Sequence, residues 1–182
     1  MIGHHGELRR TLVYGRSGEA IVERVQVPNP PDVSPEGHPL RASEMRARNV
    51  MSNDVICAYE DLEVSALTEL VVRHRIGCVP IVDRLGRAIG MVTKTDLVEH
   101  LEASMRSESR EHRPSVKRAR DIMMPLALSL PESASPSQIA NLMVLEDVHH
   151  VVIVSEAGFL VGVVSTKDLV RWLVDNDRFA AG

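Results

Sequence analysis

Aromatic residues are scarce in this chain. Tyr14, Tyr59, Phe159, Trp172 and Phe179 are the whole set among 182 residues, and they are spread along the sequence. That excludes the cluster of rings on which single-stranded bases stack. Excess positive charge is missing too: 21 Lys and Arg face 25 Asp and Glu, a formal net charge of −4. A protein held to nucleic acid by counterion release needs a basic footprint, so no polynucleotide partner is expected. There are only two cysteines, Cys57 and Cys78, at no metal-ligand spacing, and they read as free thiols in a reducing compartment. The apolar runs, such as Val151 to Val154, are far too short to span a bilayer. Met1 to Arg10 holds two His, one Glu and two Arg where a secretory signal would need an apolar stretch, so a cytoplasmic location is expected. What is present is the balance of a soluble globular protein, 44% hydrophobic and 25% charged. At this length the chain buries about 70% of its unfolded surface without metal or disulfide staples.

The strongest positive signal is internal. Laying Val50 to Leu101 over Ile122 to Leu173, an offset of 72, matches identical residues at 15 of 52 positions, where unrelated segments would match at roughly three or four. Val79, Ile81 and Val82 lie over Val151, Ile153 and Val154. Gly86 and Gly90 lie over Gly158 and Gly162, and Asp96-Leu97-Val98 over Asp168-Leu169-Val170. Two copies of so long a unit suggest a pair related by a pseudo-two-fold axis rather than a solenoid.

Each copy reads as strand, helix, strand, strand, helix. In the first, Val55 to Tyr59 is a short apolar run, and Val64, Leu67, Thr68 and Val71 recur at helical spacing up to a stop at Gly77. Val79 to Val82 and Ala88 to Val92 form a hairpin across Asp83-Arg84-Leu85-Gly86, and a helix starts near Thr95. The second copy predicts strands at Ala127 to Leu130, Val151 to Val154 and Leu160 to Val164, with helices over Ser137 to Asp147 and Lys167 to about Asn176. Arg106 to Arg120 holds six cations against two Glu without an apolar period and reads as an exposed linker, a phosphate or nucleic-acid patch being the alternative. Thr11 to Tyr14 and Ala20 to Val27 suggest a hairpin, followed by five prolines between Pro28 and Pro39.

Both copies carry Gly-x-x-[Ser/Thr]-x-x-Asp, at Gly90 to Asp96 and Gly162 to Asp168, each at a strand-to-helix junction. Free N–H groups and the positive end of the helix dipole favour anionic groups there. An aspartate in the first turn can accept two hydrogen bonds from the paired hydroxyls of a ribose, Thr93 or Ser165 can face sugar or phosphate, and the glycine permits close backbone approach. The same spacing also fits a capping box that only closes a helix end, and on the residues alone both readings stand.

The order of these pieces, twice over, resembles the cystathionine β-synthase (CBS) domain family, whose tandem pairs are called Bateman modules. The resemblance covers Ala42 to about Asp175. It rests on the duplicated β-α-β-β-α order, on Asn49-Val50-Met51-Ser52-Asn53-Asp54-Val55 and Asp121-Ile122-Met123-Met124-Pro125, on Gly77-Cys78-Val79-Pro80-Ile81-Val82-Asp83, and on both junction motifs. It implies an α/β (α+β) fold of two pseudo-symmetric β-α-β-β-α repeats packed as one module: extension 1–41, first repeat 42–105, linker 106–118 and second repeat 119–178. It further implies two clefts between the repeats that hold an adenosine compound such as AMP, ADP, ATP or S-adenosylmethionine. Asp96 and Asp168 would bind ribose, Thr93 and Ser165 would lie beside sugar or phosphate, and Val55, Ile56, Ala127 and Leu128 would line adenine pockets. Gly77-Cys78 and His149-His150 occupy the segment from which family members reach phosphate. Lys94 and Lys167 are available cations. The second copy departs from the first at Val152, in place of Pro80, and at Leu126, in place of Asp54, so its cleft is either tuned differently or empty.

Three functional classes follow. The first is a regulatory module that binds an adenosine ligand. The second is a dimerising scaffold with vestigial clefts, whose extension docks an unidentified protein. The third is an enzyme, for which the sequence offers no nucleophile with its base, no P-loop, no metal cluster and no catalytic cofactor. His149 and His150 are poor metal ligands, because successive strand side chains point to opposite faces. The stripes Leu97, Val98, Leu101 and Leu169, Val170, Leu173 are expected on outer helical faces, where a second copy would pack to give a homodimer with Trp172 as an anchor.

Overall fold

The structure is a computed structural model and describes residues 11–15, 20–23, 43–107, 116–125 and 128–180. The chain divides into two compact units. One takes in Leu12–Glu23 and Ile56–Ala127, the other Met1–Thr11, Arg24–Val55 and Leu128–Gly182. They are called here the first and second unit, after the repeat whose sheet and long helices each contains. No helix among the described residues is long and apolar enough to cross a membrane.

In the first unit, β1 (Thr11–Tyr14), β2 (Ala20–Glu23), β3 (Ile56–Tyr59), β4 (Cys78–Val82), β5 (Ala88–Thr93) and β6 (Met124–Pro125) form one sheet of order β2-β1-β3-β4-β5-β6. Helix α2 (Val64–His74) buries Val64, Leu67, Leu70 and Val71 on one face, so the 3.6-residue period of the sequence becomes the core of this unit. Helix α3 (Lys94–Ser107) buries Leu97 against the same cluster. Each such side chain removed from water contributes roughly 2 kcal/mol. The hairpin forms as expected: Asp83 Oδ1 accepts from the N–H groups of Leu85 and Arg87, and Gly86 takes a φ of 81°, which suits glycine. Helix α2 does not run to Gly77. It stops at His74 because Arg75 adopts the left-handed conformation at φ 53°, a place where glycine is the usual signal and here is not the residue used.

The second unit holds α5 (Pro136–Leu145), α6 (Thr166–Ala180) and the sheet β7 (Ser129–Pro131), β8 (His150–Val154) and β9 (Leu160–Ser165). Ser135 and Gln138 form a full capping box at the start of α5. Pro80 explains one difference between the sheets. In the second unit Ser129 pairs with Val152, whereas the corresponding ladder of the first begins one step later, at Ala58 with Ile81. A proline has no N–H to donate to that extra rung.

Each unit also contains the lead-in of the other repeat. Helix α1 (Ala47–Val50), which precedes the first repeat, buries Ala47 and Met51 in the second unit's core, where the Ala47 N–H donates to Ala134 O at 2.6 Å. Ser52 and Val163 exchange N–H···O bonds of 2.9 and 3.2 Å. Helix α4 (Ala119–Ile122) does the reverse. Ala119 is fully buried in the first unit, its N–H donating to Leu62 O at 2.8 Å, and Met124 and Pro125 pair with Met91 and Gly90. The expected exposed linker is therefore ordered at both ends: α3 runs on to Ser107, and Arg118 pairs with Glu63. The N-terminal strand also has a place, since β1 lies parallel to β3, with Leu12, Val13 and Tyr14 opposite Ile56, Cys57 and Ala58. Tyr14 is buried in the core and its hydroxyl meets His74 Nε2 at 3.2 Å. The segment 24–27, expected as the end of the second strand, lies outside the described residues.

Candidate functional site at two strand-to-helix junctions

In the first unit β5 ends at Thr93 and α3 begins at Lys94, so the chain turns from extended to helical within one residue. The Thr93 N–H and hydroxyl both donate to Asp96 Oδ2, at 2.6 and 2.7 Å, and the Asp96 N–H donates back to Thr93 Oγ1 at 3.3 Å. The second unit repeats this between β9 and α6: Ser165 N–H and hydroxyl donate to Asp168 Oδ2 at 2.9 and 2.6 Å, and Asp168 N–H donates to Ser165 Oγ at 3.2 Å. Both junctions are thus closed capping boxes. The hydroxyls and Oδ2 atoms are used internally, and the box leaves the other carboxylate oxygen, Oδ1, of each aspartate unused. Asp96 Oδ1 takes no hydrogen bond or ion pair among the described residues. Asp168 Oδ1 faces Arg171 Nη1 at 3.4 Å.

The first backbone N–H of each long helix is also taken. Lys94 N–H donates to Gly77 O at 3.2 Å and Thr166 N–H to His149 O at 3.0 Å, which brings the segment before each central strand up to its junction. Register does the rest, with Cys78 opposite Thr93 and His150 opposite Ser165. Cys78 is buried, and loss of hydration pushes its thiol up to about 12, so it stays protonated. His149 is exposed and His150 half-buried. No group of three or more potential metal ligands occurs among the described residues.

The remaining expected residues are more dispersed. Lys94 and Lys167 are solvated. Ile56 opens β3, half-buried and paired with Leu12, and Val55 is buried as the last residue assigned to the second unit. Leu128 is half-buried just ahead of β7; Ala127 and Leu126 lie outside the described residues. The two glycines need a different explanation from the one their sequence suggests. A Cβ on Gly90 would meet Met123 Sδ at 2.7 Å and Met124 O at 2.9 Å, and one on Gly162 would meet Met51 Cγ at 2.8 Å. The close approach they permit is that of the lead-in methionines, one repeat period apart, rather than of a ligand. Arg171 was the residue that sequence reading missed, although its spacing from Asp168 puts both on one helix face.

Comparison with known proteins places the chain. L-aspartate semialdehyde sulfurtransferase of Methanocaldococcus jannaschii is 21% identical over 136 residues, which are 75% of this chain and 25% of that protein. The 5'-AMP-activated protein kinase subunit gamma-3 of Sus scrofa is 25% identical over 122 residues, 66% of this chain and 24% of its own length. The chain therefore spans about a quarter of each of these relatives. Among solved structures, the CBS domain pair of protein MJ0100, in complex with 5-methylthioadenosine and S-adenosyl-L-methionine, aligns with a TM-score of 0.61 at 21% identity, covering 71% of this chain and 99% of that one. The sequence profile of the CBS domain matches twice, at residues 47–103 and 119–175. The chain belongs to the CBS domain family, with two copies of the domain in tandem.

Proposed function

We propose that this protein is a cytoplasmic regulatory module, not a catalyst, whose junctions bind an adenosine compound through its ribose. The observation that carries the reading is the second carboxylate oxygen of Asp96, unpaired among the described residues, on a side chain held fixed by the capping box. A ribose diol needs such a pre-positioned acceptor, and the box supplies it without further ordering cost. The adenosine ligands of the MJ0100 pair and the nucleotide in the name of the kinase subunit support the same class. Ligand binding regulates by favouring whichever arrangement of the protein it binds more tightly.

Assembly follows from the outer helices. Leu97 and Leu169 turn out to face their own cores, whereas Val98, Leu101 and Met105 on α3 and Val170, Leu173 and Val174 on α6 are about half exposed or more. Beside α3, Val64, Thr68, Val98, Leu101 and Val116 line an apolar groove of about 570 Å³. Stripes of this kind on two helices suit a second copy of the chain, and a homodimer is the state we assign. Sedimentation of the full chain checks it, a concentration-independent monomer being the contrary result.

Titration calorimetry of the full chain with AMP, ADP, ATP and S-adenosylmethionine tests the ligand. Saturable binding of at least one of them, weakened by Asp96→Asn, supports the module. Binding by none at millimolar concentration leaves the dimerising scaffold as the better reading.

A further inference from the structure

The two junctions are built alike and charged differently. One repeat period apart, Gly77, Cys78, Thr95 and Glu99 of the first copy become His149, His150, Lys167 and Arg171 of the second, while Lys94 becomes Thr166 and, further back at the end of α2, Arg73, His74 and Arg75 become Leu145, Glu146 and Asp147. Glu99 stands three residues beyond Asp96, just as Arg171 stands three beyond Asp168, so each shares a helix face with its aspartate. The consequence is visible at the carboxylates. Asp96 Oδ1 is open, with a second acid one turn on, whereas Asp168 Oδ1 is paired with the Arg171 guanidinium at 3.4 Å.

We propose that the Glu99/Arg171 difference sorts adenosine ligands by charge: the second junction takes a phosphorylated nucleotide, and the first an adenosine compound without phosphate. This rests on the adenosine reading above. At the first junction a ribose diol reaches Asp96 Oδ1 without displacing anything, and Glu99 repels a phosphate placed nearby. At the second, the diol competes with Arg171 for Asp168. A phosphate on the same ligand gives the planar guanidinium, once displaced, a bidentate anionic partner in exchange, which an unphosphorylated nucleoside cannot do. The Arg171 side chain is 62% exposed, so water and salt screen the exchange, and the discrimination expected is roughly five- to tenfold.

The test uses the full chain, with AMP and adenosine as probes, at low salt. Asp96→Asn removes the carboxylate of the first junction and Asp168→Asn that of the second, while asparagine keeps an oxygen for the cap. With Asp96→Asn, AMP is expected to bind five- to tenfold more tightly than adenosine. With Asp168→Asn that preference disappears. Adding Arg171→Gln to Asp96→Asn should abolish the AMP preference and raise adenosine affinity, because nothing then competes with the diol for Asp168 Oδ1; Arg171→Lys should restore part of the preference, and Glu99→Arg added to Asp168→Asn should create it. Glu99 and Arg171 are exposed, so a melting curve suffices to show that these variants fold. An identical AMP-to-adenosine ratio at both junctions, or a preference indifferent to Arg171→Gln, overturns charge sorting but leaves adenosine binding in place. Failure of the unmodified protein to bind either probe overturns charge sorting, and failure to bind S-adenosylmethionine, ADP and ATP as well overturns the adenosine reading with it.

Discussion

The two repeats share one architecture and differ in three respects. The first has a sheet extended by β1, a ladder shortened at Pro80 and an aspartate whose Oδ1 is unpaired among the described residues; the second has a three-stranded sheet among the described residues, a longer ladder at Val152 and an aspartate paired with arginine. What stayed constant is the capping box and the glycine that seats a lead-in methionine. The conserved part positions a carboxylate, and the varied part decides what that carboxylate meets.

Substituting the paired glycines should separate the units most sharply. Gly90→Ala drives a methyl into Met123 Sδ and into Met124 O, a backbone atom that cannot move without disturbing β6, whereas at Gly162 all the obstacles belong to the Met51 side chain, of which Sδ and Cγ can swing aside by a rotamer change. Gly90→Ala is expected to lower stability by about 3 kcal/mol and Gly162→Ala by about 1 kcal/mol, read from denaturant unfolding; equal losses would contradict the comparison.

The caps come next. Asp96→Ala and Asp168→Ala each remove the acceptor for one N–H and one hydroxyl, with an expected loss of about 1–2 kcal/mol apiece. The exposed Arg171 pair adds little to the second. Thermal melting without ligand measures both, and a variant that melts like the parent would mean that the box is not structural. For the same reason alanine is a poor probe of ligand binding here, and asparagine a better one.

Cys78 supplies the smallest difference, because His150 stands at its place in the second unit. Its folded thiol is raised to about 12 from 9.0 by burial. The unfolded chain therefore loses that proton first as pH rises, and the folded state binds more protons between those values. The stabilisation is complete below about pH 9 and is lost progressively toward pH 12, amounting to about 1 kcal/mol by pH 10. Denaturant unfolding at pH 8 and 10, with Cys78→Ala as control, reads it; an unchanged difference between parent and control would refute it.

Much of this was legible in the sequence, for physical reasons. The 72-residue offset marks two copies because identical folds bury identical positions, and the apolar periods placed the long helices and central strands to within a few residues. The end of α2 was not legible, since Arg75 takes a conformation that its side chain does not advertise. Nor was the crossing of the lead-ins. Self-similarity shows that Met51 and Met123 are equivalent, but not which copy of the sheet each one packs on, and so the glycines that receive them looked like ligand contacts. The location of β1 beside β3 depends on a parallel pairing between segments far apart in the chain, which no local pattern encodes. At the junctions, spacing alone could not separate a helix cap from a ribose acceptor. The structure shows a cap that leaves one carboxylate oxygen out of the box, and the ribose is what we add to it.

The central claim is that this second oxygen receives an adenosine ligand. The most direct measurement is calorimetric titration of the full chain and of Asp96→Asn/Asp168→Asn with AMP and S-adenosylmethionine under identical conditions. The account predicts saturable binding to the parent protein of at least one of the two, reduced at least about tenfold in the double variant, whose melting temperature stays close to the parent's. Equal affinity in the two proteins would contradict it.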